Sequence, residues 1–352
     1  YLNTFRTENI VFTTGSPNFV QKKTNIVFLK THKTAGSSIQ NMLMRFADRH
    51  DLLLALPAEG NFFGHPPPFH HSMISDPPDK RHYNIFTHHT RFNYDELRRV
   101  MPEDSIFITV LRDPVDLFES LYSYCKLEVL YRRPLFSFGI NMSDEEIEVR
   151  MKSLAEVGIN QMSFDLGMNP KDFKNPVKVQ RYAHILDTQF DLVLITEHLD
   201  ESLVILKNIL SWETDDVVFF KLNARHETFV KHLPSDVRKR LQSINFSDQV
   251  IYDFFKEKLA EKIRKFGEKR LALEVQELRR RREEWAKFCV KETQLLIESE
   301  DAKKTSYLNS QVTKLKPRQD NDTCRKMTAL ELDYTEELRQ KQNLLYLKHR
   351  VG

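Results

Sequence analysis

The chain has 352 residues, 40% of them hydrophobic and 25 of them Phe, enough for one large α/β domain or two small ones with a substantial core. Its net charge is only +3, so no overall field draws it to nucleic acid, and any anion has to be held by local lysines and arginines. No run of roughly 18 apolar residues offers a transmembrane helix, and no signal-peptide pattern follows Tyr1.

Residues 1–23 are polar and aperiodic and read as an arm over the surface. Ile26–Leu29 is then a short apolar strand that runs straight into Lys30, Thr31, His32, Lys33, Thr34, Ala35, Gly36, Ser37 and Ser38. Ile39, Met42, Leu43 and Phe46 follow at helical spacing. Strand, tight loop and helix N-terminus together make an anion site, with backbone N–H groups and hydroxyls as donors and the lysines as point charges. No glycine precedes Lys33, so the loop does not match G-x-x-x-x-G-K-[ST] and is not expected to wrap a triphosphate with its Mg²⁺. It suits one phosphate carrying a transferable group. The plainer alternative is a solvated turn that happens to contain lysines.

Residues 59–82, rich in Gly, Pro, His and Phe, read as a loop that covers a substrate. Phe62, Phe63 and Phe69 are candidates to stack on a substrate, or simply tuck the loop onto the core. His65, His70 and His71 lack a second ligand cluster, so no metal is assigned to them. Tyr83–Thr87 is the next strand, with His88 and His89 directly behind it.

Ile106–Leu111 is a continuous apolar, β-branched run, the pattern of a strand buried on both faces. Arg112-Asp113-Pro114 follows, with Asp113 as helix N-cap and Pro114 in the first helical position. Leu117, Phe118, Leu121, Tyr122 and Cys125 mark one helical face, and Ser120 lies off it. Arg112 can fork a phosphate, with the Ser120 hydroxyl as an added donor. The alternative for Arg112 is a salt bridge to Asp113 or Asp116. Further strands are expected at Leu192–Thr196 and Val217–Phe220, and strong helical pattern runs from Lys256 to Phe288. Its Arg279–Arg282 run reads as a solvated face, with a partner or membrane-surface patch as a second reading and coiled-coil pairing as a weaker one.

Alternating strands and helices imply a mainly parallel central sheet flanked by helices. Ligands then sit beyond the C-terminal strand ends, where Lys33, His89 and Arg112 converge. Cys125 reads as a buried free thiol; Cys289 and Cys324 flank a polar, loop-like stretch and either pair or remain free with it. Asn141, Asn245 and Asn321 open glycosylation sequons, of which a chain this rich in Asn, Ser and Thr yields some by chance.

The lysine-bearing loop and the Arg-Asp-Pro with serine at plus eight together resemble the double signature of sulfotransferases. The wording is similar to the galactose 3-O-sulfotransferase family of the Golgi. The phrases that carry this are Phe28–Ala35, His89–Phe92, Thr109–Pro114, Phe118–Ser120, Phe164–Gly167, Glu197–Leu203, Phe220–Arg225 and Glu331–Tyr334. The likeness runs from about Thr24 to about Gln342; Gly36 stands where a serine is expected, and Asn245–Lys256 lacks the expected tryptophans. The resemblance implies a P-loop-like sulfotransferase fold with a long C-terminal helix. One domain then covers 24–352, its C-terminal helical region beginning near 256.

The resemblance also implies 3′-phosphoadenosine-5′-phosphosulfate (PAPS) as donor, no required metal, and sulfuryl transfer to the 3-hydroxyl of a terminal β-galactose on a glycan or glycolipid. Lys33 is expected at the phosphosulfate bridge and His89 as the base, with His32 as its rival or partner. The donor is expected to contact Lys30, Thr31, Lys33, Thr34, Ala35, Gly36, Ser37, Ser38, Arg112, Ser120 and Arg225. The sugar is expected to meet Phe62, Phe63, Phe92, Asp165 and Glu197. A type II Golgi anchor ahead of Tyr1, a lumenal Cys289–Cys324 disulfide with Cys125 free, and a possible homodimer complete the expectation. A non-catalytic glycan-binding protein is the alternative, and a P-loop kinase a more remote one.

Overall fold

The computed structural model describes residues 21–78, 81–136, 142–143, 145–147, 158–222, 232–295, 313–318 and 321–351. Its centre is a five-stranded parallel sheet in the order β2 (Leu54–Ala55), β4 (Ile85–Phe86), β1 (Ile26–Leu29), β6 (Ile106–Leu111), β7 (Leu192–Ile195). β1, β6 and β7 are buried along their whole length, which is why their sequences are unbroken apolar runs. A second pair, β3 (Phe62–Pro68) with β5 (His89–Arg91), is also parallel and aligns Phe62 with His89. The expected covering loop is therefore partly a strand. β8 (Val290–Leu295) and β9 (Thr313–Pro317) form an antiparallel pair.

The helices are α1 (Gly36–Arg49), α2 (Tyr94–Val100), α3 (Pro114–Tyr124), α4 (Leu127–Tyr131), α5 (Gln161–Asp165), α6 (Pro176–Gln189) and α7 (Leu199–Leu210). Then come α8 (Ser235–Ile244), α9 (Phe246–Phe266), α10 (Glu268–Cys289), α11 (Asp322–Thr328) and α12 (Glu331–Val351). None of the described helices is long and apolar enough to cross a membrane.

Val217–Phe220 is buried but is not a strand of the sheet. Arg45 Nη2 donates to Val218 O at 2.5 Å, so this segment's polar backbone is met by a side chain. The fifth strand is the two-residue β2, at the opposite edge. Its outer backbone is closed by the Gln342 amide, which accepts from Leu54 N at 2.9 Å and donates to Leu54 O at 3.0 Å.

One apolar core runs from Ile26 to Leu338 around the sheet, and a smaller one packs Val115, Phe118 and Tyr122 of α3 against α4 and α8. The long helical pattern breaks at Gly267, whose φ of 94° lies where only glycine is at ease. The four arginines of α10 are each met by carboxylates: Arg279 and Arg282 by Asp200, Arg281 by Asp215, Arg280 by Glu277 and Glu284. They make a self-paired face.

Cys289 and Cys324 are joined in a disulfide with a Cα–Cα distance of 4.9 Å, and Cys125 is free at the C-cap of α3. Asn245 is 1% exposed, with its side chain between Leu241 O and Asn160 N, so its sequon is closed in the folded chain. Asn321 is exposed and caps α11; Asn141 lies outside the described residues.

Candidate active site

β1 sits where the strand order reverses, between β4 and β6, so the crevice at its C-terminal end is where a ligand enters this kind of sheet. Four strand ends deliver side chains there: His32 and Lys33 after β1, His89 after β4, Arg112 after β6 and Thr196 after β7.

The loop after β1 is held from within. Thr31 Oγ1 donates to Val110 O at 2.6 Å, Thr34 Oγ1 donates to Thr31 O at 3.1 Å, and Thr196 Oγ1 donates to both Thr34 O and Leu111 O. Ser38 Oγ accepts from Leu222 N at 3.0 Å. Lys33 and Ala35 adopt left-handed backbone, with φ of 57° and 70°, and no side chain caps the N-terminus of α1. An uncapped helix N-terminus beside cations is a fit for phosphate. Lys33 Nζ lies 3.8 Å from the centroid of the Tyr124 ring. Arg112 Nη1 donates to Lys33 O at 3.0 Å, and among the described residues Arg112 makes no ion pair. Asp113 and Asp116 bond instead to Arg238, and Asp113 also caps α3. Ser120 is buried on α3, and Arg225 lies outside the described residues.

Lys30, expected to contact the donor, lies inside the protein. It is 2% exposed, donates to Gln40 Oε1 at 2.6 Å and pairs with Glu331 at the start of α12. Burial pushes the Lys30 ammonium below its usual range, and Glu331 offsets part of this. Burial opposes ionisation of Glu331, but the Lys30 charge and the bonds from Lys30 and Ser37 hold its carboxyl below the usual value. Ser37 Oγ donates to Glu331 at 2.6 Å, and Asn61 donates to it as well. Gly36 lets the helix start rest on this lysine, since a Cβ there would come within 2.8 Å of Lys30 Cγ.

The histidines form a cluster. The His32 and His89 rings stack with centroids 4.6 Å apart, and Phe62 stacks on His89 at 4.8 Å. His32 binds Asp165 twice, through its backbone N–H at 2.8 Å and through Nδ1 at 2.9–3.0 Å. Burial works against the Asp165 charge, but the His32 ring and the bonds from His32 hold its carboxyl well below the usual range. His89 Nδ1 donates to Lys30 O at 3.0 Å, which leaves Nε2 as the lone-pair nitrogen. Burial first, then Lys30, His32 and His65, depress His89 well below an ordinary histidine. His88 is buried outright against Thr335, and burial takes it to about 3.

Asp165 is aimed by what surrounds α5. Asp248 caps that helix through Met162 N and Ser163 N, at 3.0 and 2.7 Å, and Gln161 Nε2 donates to Asp165 Oδ1 at 2.9 Å. Gly167, at φ 91°, allows the turn behind it, because a Cβ there would meet Phe92 O at 2.4 Å. Phe63 and Phe69 are core residues, and Phe92 is buried against Phe190 at 4.7 Å, so of the four aromatics considered only Phe62, 45% exposed, is on the surface. Glu197 is exposed but holds the Arg112–Pro114 turn, accepting from Asp113 N at 3.0 Å and Tyr252 OH at 3.1 Å. Sequence reading weighed His65 only with His70 and His71, and missed Gln161 and the role of Glu331, of which the last sits in a phrase that stood out.

A sequence model described as galactose-3-O-sulfotransferase matches residues 5–342. The chain is 38% identical over 293 residues to the galactosylceramide sulfotransferase of Homo sapiens, covering 80% of this chain and 68% of that one. It is 35% identical over 325 residues to galactose-3-O-sulfotransferase 2 of Homo sapiens, covering 88% and 82%. With galactose-3-O-sulfotransferase 3 of Mus musculus it shares 34% over 274 residues, 75% and 63% of the two chains. The chain thus spans about two thirds of the length of several of these relatives.

Proposed function

The chain belongs to the galactose-3-O-sulfotransferase family and is a sulfotransferase, and from that premise we propose that it moves a sulfuryl group from PAPS to the 3-hydroxyl of a terminal β-galactose. The observation that carries the mechanism is His32: its Nδ1 is bonded to the buried, ionised Asp165, and the next residue is Lys33 at the mouth of the phosphate loop.

The donor supplies an activated sulfuryl group on a phosphate. The uncapped start of α1, Lys33 and Arg112 would hold its phosphates, the last with Ser120 on the 3′-phosphate. With Nδ1–H donated to Asp165, His32 presents the Nε2 lone pair and takes the proton of the sugar hydroxyl as that oxygen bonds to sulfur. Asp165 stabilises the imidazolium that results. Lys33 offsets the charge that grows on the leaving phosphate as its bond to sulfur breaks. His89 packs neutral against His32, a wall that fixes the ring; burial depresses its own basicity. Phe62 offers the exposed ring against which the apolar face of galactose stacks. No step in this scheme calls for a metal. Golgi residence through an N-terminal anchor fits the same reading, as do the disulfide and the exposed Asn321 sequon.

The test has two arms. Stabilisation against heat by 3′-phosphoadenosine-5′-phosphate without Mg²⁺ is expected; no nucleotide effect would favour a glycan-binding protein instead. Sulfate transfer to galactosylceramide, N-acetyllactosamine and the Gal-GalNAc core then identifies the acceptor, and failure with every galactoside would overturn the proposal.

A further inference from the structure

We propose that His32, His65 and Asp165 form a reversible site for a dication of the zinc class, and that filling it switches the transfer site off. The second half rests on His32 being the base; the first does not.

Each of the three residues offers a ligand atom within 4.8 Å of the other two. The His65 side chain is 6% exposed and Asp165 is 1% exposed. His65 Nε2 is buried without a hydrogen-bond partner, and it lies 3.9 Å from Asp165 Oδ1. A buried ring nitrogen left unpaired beside an ionised carboxylate is a costly arrangement. A cation between the two would resolve it.

The chemistry of the set selects the ion. Two imidazoles and one carboxylate suit Zn²⁺, Co²⁺ or Ni²⁺ and leave a coordination position for water; Mg²⁺ and Ca²⁺ want more oxygens than one carboxylate gives. Ligand bonds of about 2.0–2.2 Å bring neighbouring ligand atoms to roughly 3.3 Å, so the His65–Asp165 gap has to close by about half an ångström. The carboxylate is already oriented by Gln161, the kind of outer support that metal ligands need. The other cluster of this type, His70, His71 and Glu96, is a poorer candidate. Both its histidines are about half exposed, and Glu96 is bonded to His71 and Arg99.

Occupation and catalysis exclude each other by proton position. In the working state His32 carries its proton on Nδ1, toward Asp165, and its lone pair on Nε2. A dication on Nδ1 needs the lone pair of that nitrogen, so the proton moves to Nε2, and the imidazole stays neutral. No lone pair is then left for the sugar hydroxyl.

Co²⁺ serves as the spectroscopic probe on the full chain. Saturable one-to-one visible d–d absorption is expected, displaced by Zn²⁺ and weakened at least about tenfold in affinity by His65→Ala. In transfer assays Zn²⁺ should inhibit the parent chain reversibly, with activity returned by a chelator. His65→Ala and His65→Gln should keep transfer and stand about tenfold more Zn²⁺. A melting temperature raised normally by 3′-phosphoadenosine-5′-phosphate certifies that both variants fold. Absence of the Co²⁺ spectrum, or a spectrum and Zn²⁺ sensitivity unchanged in both variants, would overturn the site. The Co²⁺ arm needs no turnover, so it stands or falls separately from the sulfotransferase reading.

Discussion

Lys30 at the end of the first strand and Glu331 at the start of the last helix form a buried ion pair. The two are far apart in the sequence, and their contact places α12 beneath the phosphate loop. Ser37 and Asn61 complete the shell around the carboxylate. Removing only the acid leaves a buried ammonium without its counterion, which costs about 3–5 kcal/mol. Glu331→Gln should therefore lower the unfolding free energy from denaturant titration by that amount, and Ser37→Ala by about 1 kcal/mol. A change under about 1 kcal/mol in Glu331→Gln would show that the pair is not what seats the helix.

His32→Ala should bind 3′-phosphoadenosine-5′-phosphate normally and lose sulfate transfer by about 10²–10⁴-fold. Asp165→Asn should follow it, because the amide cannot offset the imidazolium. His89→Ala is expected to lose less. Single-turnover transfer measured beside nucleotide affinity decides: a dead His89→Ala with near-normal His32→Ala reverses the assignment.

Arg112 has no ion-pair partner among the described residues, unlike its neighbours Asp113 and Asp116. Arg112→Ala should cost about 2–4 kcal/mol of donor binding, roughly 30- to 1000-fold, with acceptor affinity nearly unmoved. Calorimetric titration of 3′-phosphoadenosine-5′-phosphate measures it, and an unchanged affinity removes Arg112 from the donor site.

The Cys289–Cys324 bridge closes a loop with a sequence separation of 35 residues, which on the chain-entropy picture stabilises the protein by about 4 kcal/mol. Non-reducing peptide maps should show the pair and leave Cys125 free. Reductant should lower the melting temperature of the parent and leave Cys289→Ser/Cys324→Ser unaffected.

His88 makes an acid-side prediction. Its folded value is about 3 against 6.5 for the model imidazole, so below pH 6.5 the unfolded chain binds a proton that the folded one refuses. Stability from this group is complete above pH 6.5 and falls as pH drops toward 3, by about 2 kcal/mol at pH 5. His88→Gln should flatten the loss of melting temperature between pH 7 and pH 5. A parallel decline in both proteins would place the acid sensitivity elsewhere.

Much of the frame is legible in the sequence because β1, β6 and β7 are buried on both faces and read as unbroken apolar runs. Val217–Phe220 is equally apolar and equally buried, yet stays out of the sheet; its backbone is met by Arg45, a partner that no local pattern shows. β2 is too short to register, and β3 carries three prolines, which argue against a strand until its pairing with β5 is seen. At the site, His32, Lys33 and Arg112 are legible because strand-end position is a local property. The pairing of Lys30 with Glu331, and the approach of His65 to Asp165, join segments far apart in the chain and have no local trace.

The ion pair beneath the loop has a consequence for biosynthesis. A ribosome delivers Lys30 long before Glu331, so for that stretch of translation the emerging chain holds a strand end whose counterion has yet to be made. The loop that is to grip the donor gains its buttress only once Glu331 has been made, and contacts of such sequence separation form late and slowly. A chain that stops short of Glu331 keeps His32, Lys33 and Arg112 in its sequence but lacks the carboxylate that anchors the loop. Synthesis through α12 is in this way a precondition of a working site.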